Sequence, residues 1–259
     1  MNLQLENKTA LVTGSTKGIG FAIARALAAE GASVIVNGRS ADSARAAAQK
    51  IGHRACGIAA DVSTAAGCAE LVKQLPKVDI LVNNAGIFEP KPFAEIPDAD
   101  WERFYQVNVM SGVRLTRAYL PGMLERNWGR VIFISSESGV QIPEEMIHYG
   151  MTKAAELALV NGISQLTRRT GVTVNAVLPG PTASEGVTDF VNTLAAGAKQ
   201  SAEEFEKEFF RSVRPTSLLQ RFATVDEVAN VVAYLSSPLA SATNGAAVRV
   251  DGGVLRGTI

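Results

Sequence analysis

The chain has 259 residues, of which 47% are hydrophobic, and its 25 basic side chains balance its 25 acidic ones. This length supports a large buried core and fits one α/β domain or two small ones. A net charge of zero excludes the basic field that would hold nucleic acid or an anionic membrane surface.

Three further features bear on location. No apolar run reaches the roughly 18 residues that span a bilayer. The polar start at 1–8 does not have the pattern of a secretory signal. The two cysteines, Cys56 and Cys68, lack partners at metal-binding spacing, which favours idle thiols in a reducing compartment. We therefore expect a cytoplasmic protein that binds no metal and acts on a small molecule.

Short β-branched runs alternate with longer alanine-rich stretches along the chain. The runs predict strands at 9–13, 33–37, 55–59, 78–82, 130–135, 172–177 and 246–250. The stretches predict helices at about 18–30, 40–51, 64–75, 100–126, 149–170 and 225–236. The alternation predicts one doubly wound α/β domain over 1–259, in which a seven-stranded parallel sheet carries helices on both faces.

A glycine-rich turn joins the first predicted strand to the first helix. Gly14 permits the tight turn, and Gly18 and Gly20 let backbone and helix approach closely. The free N–H groups and the positive dipole of the helix N-terminus then suit a pyrophosphate. The alternative is a glycine-rich turn without a ligand. The residues expected to bind a dinucleotide here are Gly14, Ser15, Thr16, Lys17, Gly18, Ile19 and Gly20.

The end of the second strand indicates which dinucleotide binds. An acidic residue there would favour NAD, and none is present. Arg39 offers a permanent planar cation that suits a 2′-phosphate, and Lys17 adds a second charge. We therefore expect NADP(H); NAD(H) stays possible, because both cations also suit a solvated surface. Asp61 and Val62, after the third strand, are expected beside the adenine, although Asp61 or the better placed Ser63 also suits an N-cap.

A tyrosine and a lysine one helical turn apart, Tyr149 and Lys153, indicate proton transfer. Tyrosine has an unperturbed pKa of about 10, which is too high for an efficient base at neutral pH. Because Lys153 lies on the same helical face, we expect its charge to lower the pKa of Tyr149. Ser135 and Ser136, at the end of the fifth strand, offer a hydroxyl to the same substrate oxygen. Combined with a dinucleotide, this group points to hydride transfer.

The segment 180–222 interrupts the alternation. It mixes loop and helix and contains a charged amphipathic stretch at 203–211. An insertion after a late strand lies near the carboxyl ends of the strands, where such sheets bind ligands. We expect a substrate-binding lid at about 183–220. An ordinary pair of surface helices is the alternative.

Taken in order, these motifs resemble the classical branch of the short-chain dehydrogenase/reductase (SDR) family. The resemblance covers nearly the whole chain. It rests on Thr13-Gly14-x-x-x-Gly18-x-Gly20, Asn83-Asn84-Ala85-Gly86, Asn108, Ser136, Tyr149-x-x-x-Lys153, Pro179-Gly180 and Asp251-Gly252-Gly253. It implies a Rossmann fold and an NAD(P)-dependent interconversion of a ketone and a secondary alcohol. It also implies a homotetramer, built on the helices 100–126 and 149–170 and on the terminal helix with the last strand.

The same resemblance implies the roles of single residues. It selects Ser136 over Ser135 and makes Tyr149 the general acid/base. It has Lys153 bind the nicotinamide ribose and adds Asn108 as a fourth catalytic residue that positions water. Further cofactor contacts are implied at Asn84, Ala85, Gly86, Tyr149, Lys153, Pro179, Gly180 and Thr182.

Two other functions stay open at this point. One is an NAD-linked polyol or sugar dehydrogenase, and the other is a non-catalytic redox sensor that binds a dinucleotide. The substrate is not identified either. Glu137, Glu144 and Glu145 either shape substrate choice or face water, and Arg211 and Arg214 either bind an anionic tail or are solvated. His148 adjoins Tyr149 but is expected to point elsewhere on the helix.

Overall fold

Seven parallel strands form the central sheet. The computed structural model describes residues 2–185 and 201–257 of the chain. Its strands are β1 (Thr9–Val12), β2 (Ser33–Gly38), β3 (Ala55–Ala59), β4 (Ile80–Asn83), β5 (Gly129–Ile134), β6 (Val172–Pro179), β7 (Thr182–Ala183), β8 (Ala223–Thr224) and β9 (Ala247–Val250). The sheet order is β3-β2-β1-β4-β5-β6-β9, and the short strands β7 and β8 pair separately. The predicted parallel sheet is confirmed.

Helices cover both faces of this sheet. They are α1 (Gly18–Ala29), α2 (Ala41–Ile51), α3 (Ala65–Gln74), α4 (Asp98–Phe104), α5 (Ser111–Glu125), α6 (Ile147–Ser164), α7 (Ala202–Ser212) and α8 (Val225–Ser236). Side chains alternate between the two faces along each strand. In β5, Ile132 and Ile134 pack with α1 and α8, whereas Val131 and Phe133 pack with α3, α5 and α6. The doubly wound Rossmann arrangement follows from this two-sided burial.

The helix predicted at 100–126 is interrupted. A π-helical turn at Tyr105–Met110 separates α4 from α5. A π-helical turn is rare and takes up an extra residue, so a prediction from the ordinary helical period does not anticipate it. The turn contains the predicted catalytic residue Asn108.

The helix predicted at 149–170 also differs, because α6 already ends at Ser164. A 3₁₀ turn follows at Gln165–Thr167, and Arg169 then adopts a φ of 62°. This left-handed conformation stops the helix and turns the chain into β6.

The predicted lid lies partly outside the described residues, since 186–200 are not among them. Its described part contains α7, whose first turn is closed by a capping box between Ser201 and Glu204, and it lies between the paired strands β7 and β8. The lid at 183–220 stays a prediction. None of the helices in the described ranges is long and apolar enough to cross a bilayer.

Gly20 tests how tightly the turn between β1 and α1 is packed. A Cβ at this position would lie 2.6 Å from the carbonyl oxygen of Gly14 and 2.9 Å from Cα of Ser15. We expect Gly20→Ala to lower the free energy of unfolding by about 1–3 kcal/mol, as overpacking does. The measurement is urea unfolding at 25 °C.

Gly162, near the end of α6, is the matched control. A Cβ there would meet no described atom within 4 Å. Gly162→Ala should therefore raise stability, by up to about 1 kcal/mol, because alanine favours a helix over glycine. Equal stability of Gly20→Ala and the wild type would contradict the tight packing.

Candidate active site

The carboxyl ends of β4, β5 and β6 open into one cavity. Parallel strands bring their carboxyl ends to the same edge of a sheet, where ligands bind in this architecture. The cavity has a volume of about 590 Å³. Residues from distant parts of the chain line it, among them Ile19, Gly86, Ser136, Tyr149, Thr182 and Arg214. The structure therefore brings three of the four predicted catalytic residues and several of the predicted cofactor residues together in this cavity, which Asn108, Arg39, Asp61 and Val62 do not line.

The glycine turn leaves the start of α1 open. Gly14 and Gly18 have φ angles of 58° and 60°, which favour glycine. Lys17 precedes α1, and its side chain makes no capping hydrogen bond, whereas side chains cap α2, α3, α7 and α8. The first N–H groups of α1 thus lack a side-chain partner, which fits a dinucleotide diphosphate at this point.

Ser15 and Asn84, which are predicted to bind the cofactor, also form hydrogen bonds within the protein. Ser15 Oγ donates to the Val12 carbonyl at 2.6 Å and accepts from the backbone N–H of Asn37 at 3.0 Å. The Asn84 amide donates to the carbonyls of Thr13 (2.9 Å) and Gly14 (3.1 Å). Their side chains tie β1, β2 and β4 together below the turn, which leaves the backbone to face a ligand.

Glycines also bring the chain close to the site residues. A Cβ on Gly86 would lie 3.5 Å from Asn108 Oδ1 and 3.6 Å from Lys153 Nζ. Next to Gly86, Ala85 packs so near the turn that a Cβ on Gly14 would lie 3.0 Å from its Cα. Thr16 packs against Gly38, since a Cβ added to Gly38 would lie 2.5 Å from Thr16 Cγ2.

Arg39 and Lys17 are exposed at the carboxyl end of β2 and in the glycine turn. Within the described residues neither side chain forms an ion pair or a hydrogen bond with another group. Both cations are therefore accessible to an anionic ligand that extends from the start of α1 towards β2.

Asp61 does not cap α3, and neither does Ser63. The cap is Thr64, whose hydroxyl accepts from the backbone N–H of Gly67 at 3.0 Å. Asp61 Oδ1 instead accepts from the backbone N–H and the hydroxyl of Ser63, at 3.1 and 2.7 Å. The capping alternatives were wrong because the helix starts one residue later. Val62 is buried in the core beside α3.

Lys153 is a buried cation with a buried partner. Its Nζ donates to Glu156 Oε1 at 3.0 Å, to Glu156 Oε2 at 3.2 Å and to the Ile134 carbonyl at 2.9 Å. The two side chains are 5% and 2% exposed. Sequence analysis missed Glu156, although its position three residues after Lys153 in a helix was a signal for this pair.

Tyr149 keeps its proton more firmly than expected. Burial raises the pKa of Tyr149 above its ordinary value, the charge of Glu137 raises it further, and a hydrogen bond with Ser136 acts in the opposite sense. The expectation that Lys153 lowers this pKa was wrong for the chain alone. Glu156 balances the charge of Lys153, whose Nζ lies 5.7 Å from the centre of the Tyr149 ring.

The two serines after β5 have different surroundings. Ser135 Oγ donates to the backbone carbonyl of Lys153 at 2.9 Å and so joins β5 to α6. Ser136 Oγ donates to Glu137 Oε2 at 2.5 Å and accepts from the backbone N–H of Ser138 at 3.1 Å. Ser136 thus faces Glu137, and it lines the cavity together with Tyr149.

Asn108 joins three segments around the cavity. Its amide donates to the Ile87 carbonyl (3.0 Å) and to Thr152 Oγ1 (2.9 Å), and its Oδ1 accepts from the Ile87 N–H (2.8 Å). The side chain holds the loop after β4 against α6 and the π-helical turn. It is 2% exposed and lies next to Gly86.

The segment after β6 is packed against the C-terminal turn. A Cβ on Gly180 would lie 2.6 Å from the Asp251 carbonyl oxygen. Thr182 Oγ1 donates to the Gly180 carbonyl at 2.9 Å, so its proton is used within the segment. Pro179, Gly180 and Thr182 all line the cavity.

Arg214, which lies between the carboxylates of Glu137 and Glu145, forms one wall of the cavity. Arg214 Nε lies 3.5 Å from Glu137 Oε1, and Arg214 Nη1 lies 3.2 Å from Glu145 Oε1. The side chains of Arg214 and Glu137 are 11% and 7% exposed. Arg214 is thus neither solvated nor unpaired, and the two carboxylates leave this wall with an excess of negative charge.

His148 lies outside the cavity, as expected. It is buried between the rings of Trp101 and Phe104, and burial lowers its pKa. No described group forms a hydrogen bond with either ring nitrogen. The residue contributes to packing beside Tyr149.

Comparisons with known proteins decide the family. A model described as short chain dehydrogenase matches residues 8–195, which is more than half of the chain. The chain belongs to the short-chain dehydrogenase family. It is 49% identical to the uncharacterized oxidoreductase YvaG of Bacillus subtilis, over 99% of each chain. It is 36% identical to a D-beta-hydroxybutyrate dehydrogenase of Cupriavidus necator, over 96% of this chain and 98% of that protein.

Solved structures agree with this assignment. The L-sorbose reductase of Gluconobacter frateurii, crystallised with NADPH and L-sorbose, matches with a TM-score of 0.93. The two proteins are 30% identical, over 99% of this chain and 100% of the reductase. The protein is thus an oxidoreductase of the SDR family, and its cavity lies where the parallel sheet of that fold opens.

Proposed function

We propose that this short-chain dehydrogenase uses NADP(H) to interconvert a ketone and a secondary alcohol, with Tyr149 as general acid/base. The observation that carries the proposal is the meeting of Tyr149, Ser136 and Lys153 in one cavity beside the open start of α1. NADPH supplies the hydride in reduction, and NADP⁺ accepts it in oxidation.

The proton chemistry follows from the surroundings of Tyr149. In reduction the phenol donates its proton to the substrate oxygen, which gains negative charge as the hydride arrives. A raised pKa keeps the phenol protonated until that moment. Ser136 donates a hydrogen bond to the same oxygen and polarises the carbonyl.

Lys153 and Asn108 support this step. The ammonium of Lys153 is held by Glu156 and Ile134 close to Gly86. We assign to it a hydrogen bond to a ribose hydroxyl, made in place of one of its two bonds to Glu156. Asn108 fixes the loop that carries Gly86, and its backbone lies in a widened turn beside Lys153. We assign to it the positioning of a water molecule between Lys153 and solvent.

Arg39 supports a preference for NADP(H) over NAD(H). It is exposed at the end of β2, where no acidic residue competes for the adenosine ribose. The NADPH bound to L-sorbose reductase is consistent with this preference. The remaining cofactor contacts are assigned to Gly14–Gly20, to Asp61 and Val62 near the adenine, to Asn84–Gly86 and to Pro179, Gly180 and Thr182.

Tyr149→Phe tests the reaction. The change keeps the ring and removes the transferable proton. We expect kcat for ketone reduction to fall by at least about 100-fold, in line with general acid catalysis, with NADPH binding retained. Turnover is followed at the nicotinamide absorbance with a panel of ketones, and binding by fluorescence titration.

Tyr105→Phe is the control, because Tyr105 is 42% exposed and outside the cavity. It should leave kcat unchanged. Near-wild-type turnover by Tyr149→Phe would refute the assigned role. A wild-type protein that binds NADPH but turns over no ketone would instead be a redox sensor.

Arg39→Ala tests the cofactor preference. Loss of one charge-assisted pair to the 2′-phosphate costs about 1.5–3 kcal/mol. NADPH should therefore bind more weakly by roughly 10- to 150-fold, whereas NADH should be little affected. Arg54→Ala, an exposed position before β3 at the opposite edge of the sheet, should change neither affinity. Equal losses for both cofactors in Arg39→Ala would exclude the phosphate contact.

The homotetramer is also a proposal. Strand β9 is an edge of the sheet, and Tyr234 of α8 and Tyr105 between α4 and α5 are each 42% exposed. An open edge strand and exposed apolar residues on both predicted surfaces support two-fold interfaces. We expect light scattering at micromolar concentration to give about four times the 27.3 kDa chain mass. A mass near that of one chain would refute the tetramer.

A further inference from the structure

The only proton of the Ser136 hydroxyl is already used in the structure. Ser136 Oγ donates it to Glu137 Oε2 at 2.5 Å, and accepts from the backbone N–H of Ser138. A hydroxyl has one proton to donate. While Glu137 accepts it, Ser136 cannot donate to a substrate carbonyl. The role assigned to Ser136 therefore requires another donor for Glu137.

Glu137 has no such donor for Oε2 among the described side chains. Its other oxygen, Oε1, lies 3.5 Å from Arg214 Nε, and Arg214 is held in turn by Glu145. This contact directs Oε2 towards Ser136 and the cavity. Because Glu137 is 6% exposed, leaving Oε2 without a donor would cost free energy. A hydrogen-bond donor on the bound substrate would satisfy Oε2 in the place of Ser136.

A hydroxyl on the carbon next to the reacting carbon meets this need. Ser136 is hydrogen-bonded to Glu137 and lines the cavity with Tyr149, so the carboxylate lies one side chain away from the position proposed for the reacting oxygen. A substrate hydroxyl in that direction donates to Glu137 Oε2 and releases the Ser136 proton for the carbonyl. A simple ketone offers no such donor, and Glu137 then competes with it for Ser136.

We propose that Glu137 is a specificity-determining residue that binds a hydroxyl beside the reacting carbon. The protein then acts on α-hydroxyketones and vicinal diols in preference to simple ketones and isolated secondary alcohols. This inference rests on the proposed function, and it names the substrate class of the same cavity.

The other walls of the cavity agree with a neutral, polyhydroxylated substrate. Glu137 and Glu145 exceed Arg214 by one negative charge, and Glu156 balances Lys153. An anionic tail would be repelled. Aromatic rings at Phe88, Phe205, Phe209 and Phe222 offer flat apolar faces to the C–H groups of such a substrate.

Glu137 also acts on the proton of Tyr149. The charged groups that face Tyr149 are Glu137 from the turn after β5, and Lys153 and Glu156 from α6. Because the charge of Glu137 disfavours tyrosinate, the neutral variant Glu137→Gln should have a lower Tyr149 pKa. Oxidation of an alcohol needs tyrosinate, so its pH profile should move to lower pH in this variant.

The test compares 1-hydroxybutan-2-one with butan-2-one, which share a carbon skeleton. With NADPH, the wild type should favour the hydroxyketone in kcat/KM by at least about 100-fold, as sites built for a hydroxyl do. Glu137→Ala should reduce this ratio at least about tenfold, mostly through faster turnover of butan-2-one and a higher KM for the hydroxyketone. Glu144→Gln, an exposed carboxylate outside the cavity, should keep the wild-type ratio.

Two results would overturn the inference. One is a similar kcat/KM of the wild type for the two ketones, a result that does not depend on the folding of any variant. The other is an unchanged ratio in Glu137→Ala, or an unchanged pH profile for diol oxidation in the isosteric Glu137→Gln. In either case the proposed function stands. Failure of the wild type to oxidise NADPH with any ketone would instead refute the proposed function itself.

Discussion

The enclosed ammonium of Lys153 is the interaction on which the site depends. It lies where β5 and α6 meet, and it is satisfied by Glu156 and the Ile134 carbonyl. A buried ion pair adds little net stability, but removing one partner costs about 3–5 kcal/mol, because an uncompensated charge remains. The hydrogen bond from Lys153 Nζ to the Ile134 carbonyl, together with the one from Ser135 Oγ to the Lys153 carbonyl, holds α6 against the end of β5. Tyr149, one turn earlier in α6, is held with it.

The charges around Tyr149 set the pKa of its hydroxyl. Glu156 lies beside the ammonium, and burial followed by the carboxylate charge of Glu137 raises the pKa of Tyr149. The resting chain therefore holds the phenol in its protonated form. This is the form that donates a proton in the proposed reduction.

The carboxyl ends of the parallel strands lie together at one edge of the sheet, so a few strands and the turns after them form the site. β1, β4, β5 and β6 all point their carboxyl ends at the same cavity, and each is followed by a turn with glycine or a small polar residue. Close packing sets this composition: a Cβ at Gly20 or Gly180 would lie within 2.6 Å of a backbone oxygen. The backbone at this edge stays free of side chains, and a dinucleotide needs that space.

Sequence by itself determined the strands, most helices and the family. These depend on local patterns, namely β-branched runs, helical spacing and glycine turns, which act between neighbours in the chain. The Tyr149–Lys153 pair was visible for the same reason. Only the tertiary structure decided the charges of the site. Glu156 neutralises Lys153 because both are buried together, and Glu137 meets Arg214 because α7 ends beside the turn after β5. It also decided the π-helical turn at Asn108, because packing against the Ile87 loop and α6, and not residue spacing, holds that widened turn in place.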